Sequence, residues 1–287
     1  MKANDPPATK RPPVSAWQSA FSTSYDFSRR EPYDPGTFLG LVREITEKYF
    51  YGFYHPLGRR LIAGDLSPED LRFLAMQEHA YYAGTTWWNA GKLLRANTLA
   101  EQRQLFAPLL DELGTDLVDD GGLPAHSELF VRYCEGLGVT REELDRAPLA
   151  PGVVLAVTEL RRIATERPAF EFIAASNLVV EKMRAKHYAA LLETFATSYR
   201  WVPKSALLFY EIHARLDDGH GSLGEAFVAR YAHDKRDQDA IFSAVQRSLC
   251  LRLAMYDSIA SAMQSPGGVG LVPWPNFPGE PWPRPAS

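Results

Sequence analysis

The sequence predicts an all-α protein, a single compact bundle of seven or eight helices. Three observations carry this reading. Apolar residues recur at spacings of three and four along most of the chain, the period of one helix face. Helix-start signals open several of these stretches, and the alternation expected of strands is scarce. The 287 residues, 46% hydrophobic and 23% charged, also suffice to bury one sizeable core.

Taken in order, residues 1–35 are rich in Pro, Ser and charge and read as a mobile arm able to drape over the body. A first helix is expected over 36–54, with Phe38, Leu41, Ile45 and Tyr49 on one side. Ser67, with Pro68 at the first helical position and Asp70 three residues on, opens a long helix that is apolar on most sides and therefore central. Thr98 with Glu101 and Thr140 with Glu143 have the spacing of capping boxes. Further helices are expected over 99–113, 126–137, 152–166, 168–199, 204–218 and 223–263. The break near 219–222 rests on Gly219 and Gly221, which flank His220, and on Ser222 with Glu225 as a fresh cap. Residues 265–287 hold too many Pro and Gly for helix or central strand, although Trp274 and Trp282 could dock on the body. The helical domain is thus placed at 36–264.

A net charge of −4 without a long basic run argues against nucleic acid or an anionic membrane as partner. Cys134 and Cys250 form neither a disulfide framework nor a CxxC pair. No apolar run reaches the ~20 residues of a bilayer span, and the first residues have no apolar segment of signal-peptide type. A cytoplasmic protein is expected, with its oligomeric state open and a homodimer allowed.

The chemistry concentrates in YEIHARLDDGHGSLGE. His213, Asp217 and His220 follow one another at four and three residues, so they project from one stripe of a helix. Two imidazoles and a carboxylate suit iron, manganese or zinc, and the absence of thiolates argues against a structural zinc. Such a pattern is more often a solvated polar face when nothing else supports it.

HxxxDxxH on a late helix, the upstream glutamate in SNLVVEKMRAKHY, the opening HPLGRRLIAGDLSPEDLRFLAMQEHAYY and the stretch HSELFVRYCEGLGVTREEL together resemble the heme-oxygenase-like diiron oxidases and oxygenases. These share their fold with TenA (thiaminase II) and PqqC-type enzymes. The resemblance covers about 45–262. It implies a heme-oxygenase-like bundle holding two iron ions, with dioxygen as co-substrate and neither heme nor flavin. The ligands it implies are Glu112, His126, Glu181, His213, Asp217 and His220. Glu112 and His126 lie fourteen residues apart, more than in the family, so the inserted GTDLVDDGGLPA either leaves both in place or hands one role to Asp119 or Asp120. The first alternative is preferred.

Glu78 and Tyr81 occupy the places where thiaminase-like relatives contact a pyrimidine. That activity would also need a nucleophilic cysteine near 174–177, and none is present. His79 as a heme ligand is disfavoured, and His55, His187 and His233 are read as core or surface histidines. Arg184, three residues after Glu181, together with Lys204 and Arg215, offers cations for a substrate carboxylate. Tyr81, Tyr82, Trp87, Trp88, Phe172, Tyr188 and Phe209 are available to line a pocket or to make plain core. The expected activity is dioxygen-dependent oxidation of a small amino-acid-like or carboxylate metabolite, with N-oxygenation ahead of C–C cleavage or desaturation. The rivals are a cofactorless PqqC-type oxidase and a non-catalytic helical interaction module.

Overall fold

A computed structural model describes residues 21–115, 122–265 and 270–273, the side chains of 216–221 excepted. Among these residues the fold is helical, and the one β-type contact is an isolated bridge between Leu149 and Val272. The helices begin where the sequence supplies caps. Asp34 accepts from the Thr37 amide ahead of α1 (Pro35–Tyr49), and Ser67 accepts from the Asp70 amide ahead of α4 (Pro68–Tyr82). Thr98 does the same for α6 (Leu99–Leu113), and Thr140 with Glu143 makes a full capping box for α8 (Arg141–Arg146). At Thr98 the Glu101 side chain reaches past the cap to the Asn97 amide and also takes the Tyr231 hydroxyl. Thr98→Ala removes one acceptor and is expected to cost about 1 kcal/mol, read as a lowered denaturant midpoint. An unchanged midpoint would show that Glu101 alone caps this end.

The stretch expected as one helix over 36–54 divides. The break falls at Phe50 (φ −58°, ψ 120°), which ends α1 and precedes α2 (Tyr51–Tyr54); Pro56 then holds His55 in extended backbone (φ −73°, ψ 141°), so α2 stops and α3 (Pro56–Ala63) starts. The His55 ring caps α3 through Nδ1 and meets Asp257 through Nε2. The helix after Ser67 likewise ends at Tyr82, and α5 (Thr85–Leu94) follows.

The rest of the chain supplies α7 (His126–Gly136), α9 (Pro151–Glu166), the short α10 (Ala169–Ile173), α11 (Lys182–Thr197), α12 (Leu208–Ala229) and α13 (Lys235–Gln264). Between α10 and α11, residues Ala174–Glu181 wind as a π-helix, a form that often marks functional positions. The Ala175 carbonyl in this segment accepts from the Ser248 hydroxyl of α13, which keeps a buried polar group satisfied.

Two apolar clusters fill the bundle. One gathers Phe50, Leu74, Phe130, Tyr133, Leu160, Phe195 and Tyr256, and the other gathers Phe38, Ile45, Val179, Phe227, Phe242 and Leu249. The 30-residue α13 contributes to both, at about 1.5 Å per residue spanning roughly 45 Å.

Within residues 21–34, the described part of the arm expected to drape over the body, Phe21 and Tyr25 are buried, Tyr25 stacks on Phe242 at 4.2 Å, and the Tyr25 hydroxyl bonds Asp239 at 2.7 Å. Aromatics without periodicity gave no pattern to read, yet each buries enough surface to anchor a strand of coil. The break at 219–222 is absent from the backbone, because α12 runs unbroken from Leu208 to Ala229. Glu225, expected to pair with Ser222 as a cap, instead bonds Arg43 and Lys182. The close packing of α12 explains this. A Cβ at Gly224 would stand 2.6 Å from Asn177 Cβ, so glycine lets α12 close on the π segment, and contact of that kind outweighs ~1 kcal/mol of poor helix propensity per glycine.

Candidate metal centre

Glu112 is the penultimate residue of α6 and His126 the first residue of α7. The inserted residues between them do not push them apart, because the insertion is pinched at its neck. The chain leaves α6 through Gly114 at φ 88° and ψ 154°. The Thr115 amide then donates to the Leu123 carbonyl at 2.8 Å, and the Leu123 amide donates to the Thr115 hydroxyl at 2.9 Å. Glu112 Oε2 consequently ends 3.5 Å from His126 Nδ1. Asp119 and Asp120, the alternative ligands, lie outside the described residues.

His213 comes to the same point from α12. Its Nδ1 lies 2.7 Å from the Phe209 carbonyl, and a carbonyl only accepts, so Nδ1 carries the proton and Nε2 keeps its lone pair. The His126 and His213 rings are 4.5 Å apart. One donor atom from each of Glu112, His126 and His213 lies within 4.8 Å of the other two. An ion with bonds of ~2.1 Å bridges donors up to ~4.2 Å apart, so a small contraction would close the triad on a metal.

The electrostatics fit a cation. Burial would raise the Glu112 carboxyl, but His126, with His213 and Arg184 behind it, brings it down to about 2. Burial, reinforced by His126, drives His213 well below the ordinary imidazole range, so it is neutral and able to ligate. His126 Nδ1 is buried and lacks a hydrogen bond, an orphan that an ion beside Glu112 would satisfy.

Glu181 stands outside this three-residue cluster. It is partly buried at the end of the π segment, and its Oε2 accepts from the side-chain amide of Asn177 at 2.5 Å. The other side of Asn177 faces Lys92, whose Nζ lies 3.5 Å from Asn177 Oδ1. Lys92 is only 1% exposed, and its ammonium feels the carboxylates of both Glu181 and Glu112. Burial lowers its pKa, and the two carboxylates oppose that shift. Asp217 and His220 lie on the backbone of α12, but their side chains are outside the described residues.

Beside the triad lies a second polar cluster. Arg184 is 5% exposed, with its guanidinium 5.7 Å from the Tyr82 ring and 5.8 Å from the Tyr188 ring. The Tyr82 and Tyr188 hydroxyls are hydrogen-bonded at 2.5 Å. Glu78 accepts from the Tyr256 hydroxyl at 2.7 Å, and Arg252 donates to the Tyr81 hydroxyl at 2.7 Å. Burial raises Glu78 to about 7, against the pull of Tyr256 and Arg184. His187 also sits here, with both ring nitrogens buried and without a hydrogen bond, and burial, then Arg184, lowers it to about 3.

The cations proposed for a substrate thus separate. Arg184 is inside, near Glu112 and His213. Lys204 and Arg215 are exposed, and Arg215 donates to the Glu211 carbonyl at 3.1 Å, so neither reaches the buried cluster. Arg215 is two positions from His213, a step that turns a helical side chain to the opposite face. Of the aromatic candidates, Trp87 is 46% exposed, while Tyr81, Tyr82, Trp88, Phe172, Tyr188 and Phe209 are buried. Lys92, Asn177, Arg252 and Tyr256 were not singled out from the sequence. Asn177 stands four residues before Glu181, and Lys92 is the lone charge in TTWWNAGKLL; those were the available signals.

Comparison with known proteins bears on the family and the fold. Residues 72–253 match the model of a family described as iron-containing redox enzymes. The chain is 22% identical over 244 residues to the pyrroloquinoline-quinone synthase of Rhizobium meliloti (strain 1021), covering 84% of this chain and 91% of that one. A TenA homologue from Pseudomonas syringae pv. tomato superposes with a TM-score of 0.66 at 16% identity, covering 84% of this chain and 99% of the other. A domain of heme-oxygenase-like fold from Shewanella denitrificans gives 0.64 at 12% identity, covering 82% and 97%. The fold is therefore heme-oxygenase-like, and with well over half its length inside the family model the chain belongs to the iron-containing redox enzymes.

Proposed function

We propose that the protein is a non-heme diiron oxygenase that uses dioxygen to oxidise a small amino-acid-like or carboxylate metabolite, with N-oxygenation favoured. The observation that carries this reading is the buried triad of Glu112, His126 and His213, with donors within 4.8 Å of one another. One iron would be held by the triad, and a second by Glu181 with Asp217 and His220. Iron in these positions supplies electrons and open coordination sites for dioxygen.

The chain's own residues perform the rest. Phe130, Phe209, Tyr82 and Tyr188 are buried around the triad and exclude water. Arg184 stands where it can hold a substrate carboxylate, and a guanidinium does so in a fixed geometry. Glu78, beside Tyr256 and Arg184 and raised to about 7, can hydrogen-bond an amine or hydroxyl of the same substrate, as donor in its protonated form and as acceptor in either form.

Anaerobic loading with Fe(II), followed by metal analysis, is expected to give about two irons per chain, and His213→Ala to lose the ion of the triad. Dioxygen consumption should then depend on an added amino acid, with a hydroxylamine or oxime product identified by mass spectrometry. A chain that takes up no iron, or that oxidises its substrate equally well after His213→Ala, sinks the proposal. The match to a pyrroloquinoline-quinone synthase favours the second reading, a cofactorless oxidase, and that reading predicts the latter outcome.

A further inference from the structure

Burying a lysine among helices is costly unless something nearby needs its charge. Lys92 is 1% exposed, its Nζ lies 3.5 Å from Asn177 Oδ1, and its ammonium feels the carboxylate of Glu181 and, less strongly, that of Glu112. Asn177 is itself 2% exposed and passes its amide to Glu181, so Lys92, Asn177 and Glu181 form a continuous polar chain. That chain is held on both sides. Lys92 rides on α5 and Asn177 on the π segment, and Gly224 lets α12 pack directly on Asn177.

We infer that Lys92 is the resident cation of the metal-free protein. Its ammonium, linked through Asn177, balances the charge of Glu181 until a metal ion at Glu181 takes over that role. This rests on the diiron reading above and adds a positioning residue to it. An ammonium joined through Asn177 to Glu181 opposes a dication arriving there more than one arriving at the triad, so the ion next to Glu181 binds more weakly than the ion of the triad. The two ions therefore load in order, the triad first. The same charge keeps the partly buried carboxylate of Glu181 compatible with a folded chain before any metal is present.

The test compares wild type, Lys92→Met and Lys92→Arg in two measurements that need no turnover: thermal melting of the metal-free protein, and titration with Mn(II) followed by calorimetry and by electron paramagnetic resonance. Wild type is expected to bind Mn(II) in two steps of unequal affinity. Lys92→Met should melt lower when metal-free and bind the weaker ion at least about tenfold more tightly. Lys92→Arg keeps the charge and should keep two unequal steps. Should Lys92→Met fail to fold, Lys92→Gln, which can still bond Asn177, takes its place with the same expectations.

A lower melting point with unchanged Mn(II) binding would make Lys92 ordinary packing and overturn the inference, as would identical behaviour of Lys92→Met and wild type. Failure of the diiron reading looks different. In that case neither wild type nor any Lys92 variant takes up Mn(II), and His213→Ala changes nothing in the titration.

Discussion

Gly114→Ala is expected to destabilise the fold by about 3 kcal/mol or more and to abolish metal uptake at the triad, although residue 114 bears no ligand. Two causes act at once. The backbone at Gly114 has φ 88° and ψ 154°, a region that is essentially closed to residues with a Cβ. A Cβ built there would lie 2.5 Å from the Ala125 amide nitrogen, 2.6 Å from the Pro124 carbonyl carbon and 2.7 Å from the Leu123 oxygen. All three are backbone atoms and cannot swing aside, so the neck of the insertion must open.

Opening the neck separates Glu112, two residues before it, from His126, two residues after its contact Pro124. The control is the same chemical change at Gly40. That residue is exposed on α1 with nothing within 4 Å of its would-be Cβ, so Gly40→Ala should stabilise by about 0.5–1 kcal/mol through helix propensity. Urea unfolding and metal analysis of the two variants read both effects. A Gly114→Ala protein as stable as wild type with its metal retained would show that the neck does not position the ligands.

The same glycine explains what the sequence could and could not tell. Caps at Ser67, Thr98 and Thr140 and the apolar period were local signals, and the helices began where those signals stood. The pairing of Glu112 with His126 was open on sequence alone, because nothing in GTDLVDDGGLPA announces that Thr115 and Leu123 will bond each other. His213 was legible from its spacing to Asp217 and His220. Lys92 was not, because the side chains it joins, Asn177 and through it Glu181, lie in a distant segment. The π-helix at 174–181 was also invisible: AASNLVVE has ordinary helical composition, and its hydrogen-bond shift depends on Ser248 and α12 packing around it. Lys204 and Arg215, offered as cations for a substrate, meet the same limit. Nearness along the chain to His213 says nothing about the face of the helix, and both ended in solvent.

The second large expected effect is a pH dependence of stability that Glu78→Gln removes. In the fold Glu78 is buried and its pKa is raised from 4.5 to about 7, chiefly by loss of water. The unfolded chain releases this proton near pH 4.5, whereas the folded chain holds it to about pH 7. Between those values the native state binds the extra proton, so stability falls as pH rises through this window and levels off above it. A shift of about 2.5 units corresponds to roughly 3 kcal/mol between pH 4 and pH 8.

Glutamine keeps the size of the side chain and an acceptor for the Tyr256 hydroxyl, but it does not titrate. Wild type and Glu78→Gln should therefore have similar stability near pH 4.5, with the variant ahead by roughly 3 kcal/mol at pH 8. Groups that titrate in both proteins cancel in the difference. Denaturant unfolding of the metal-free proteins at pH 4.5, 6 and 8 measures it. Parallel stability curves would mean that Glu78 ionises in the fold as readily as in water, with Arg184 and Arg252 compensating its burial. The buried cluster would then present a carboxylate, rather than a neutral carboxylic acid, to whatever the protein binds.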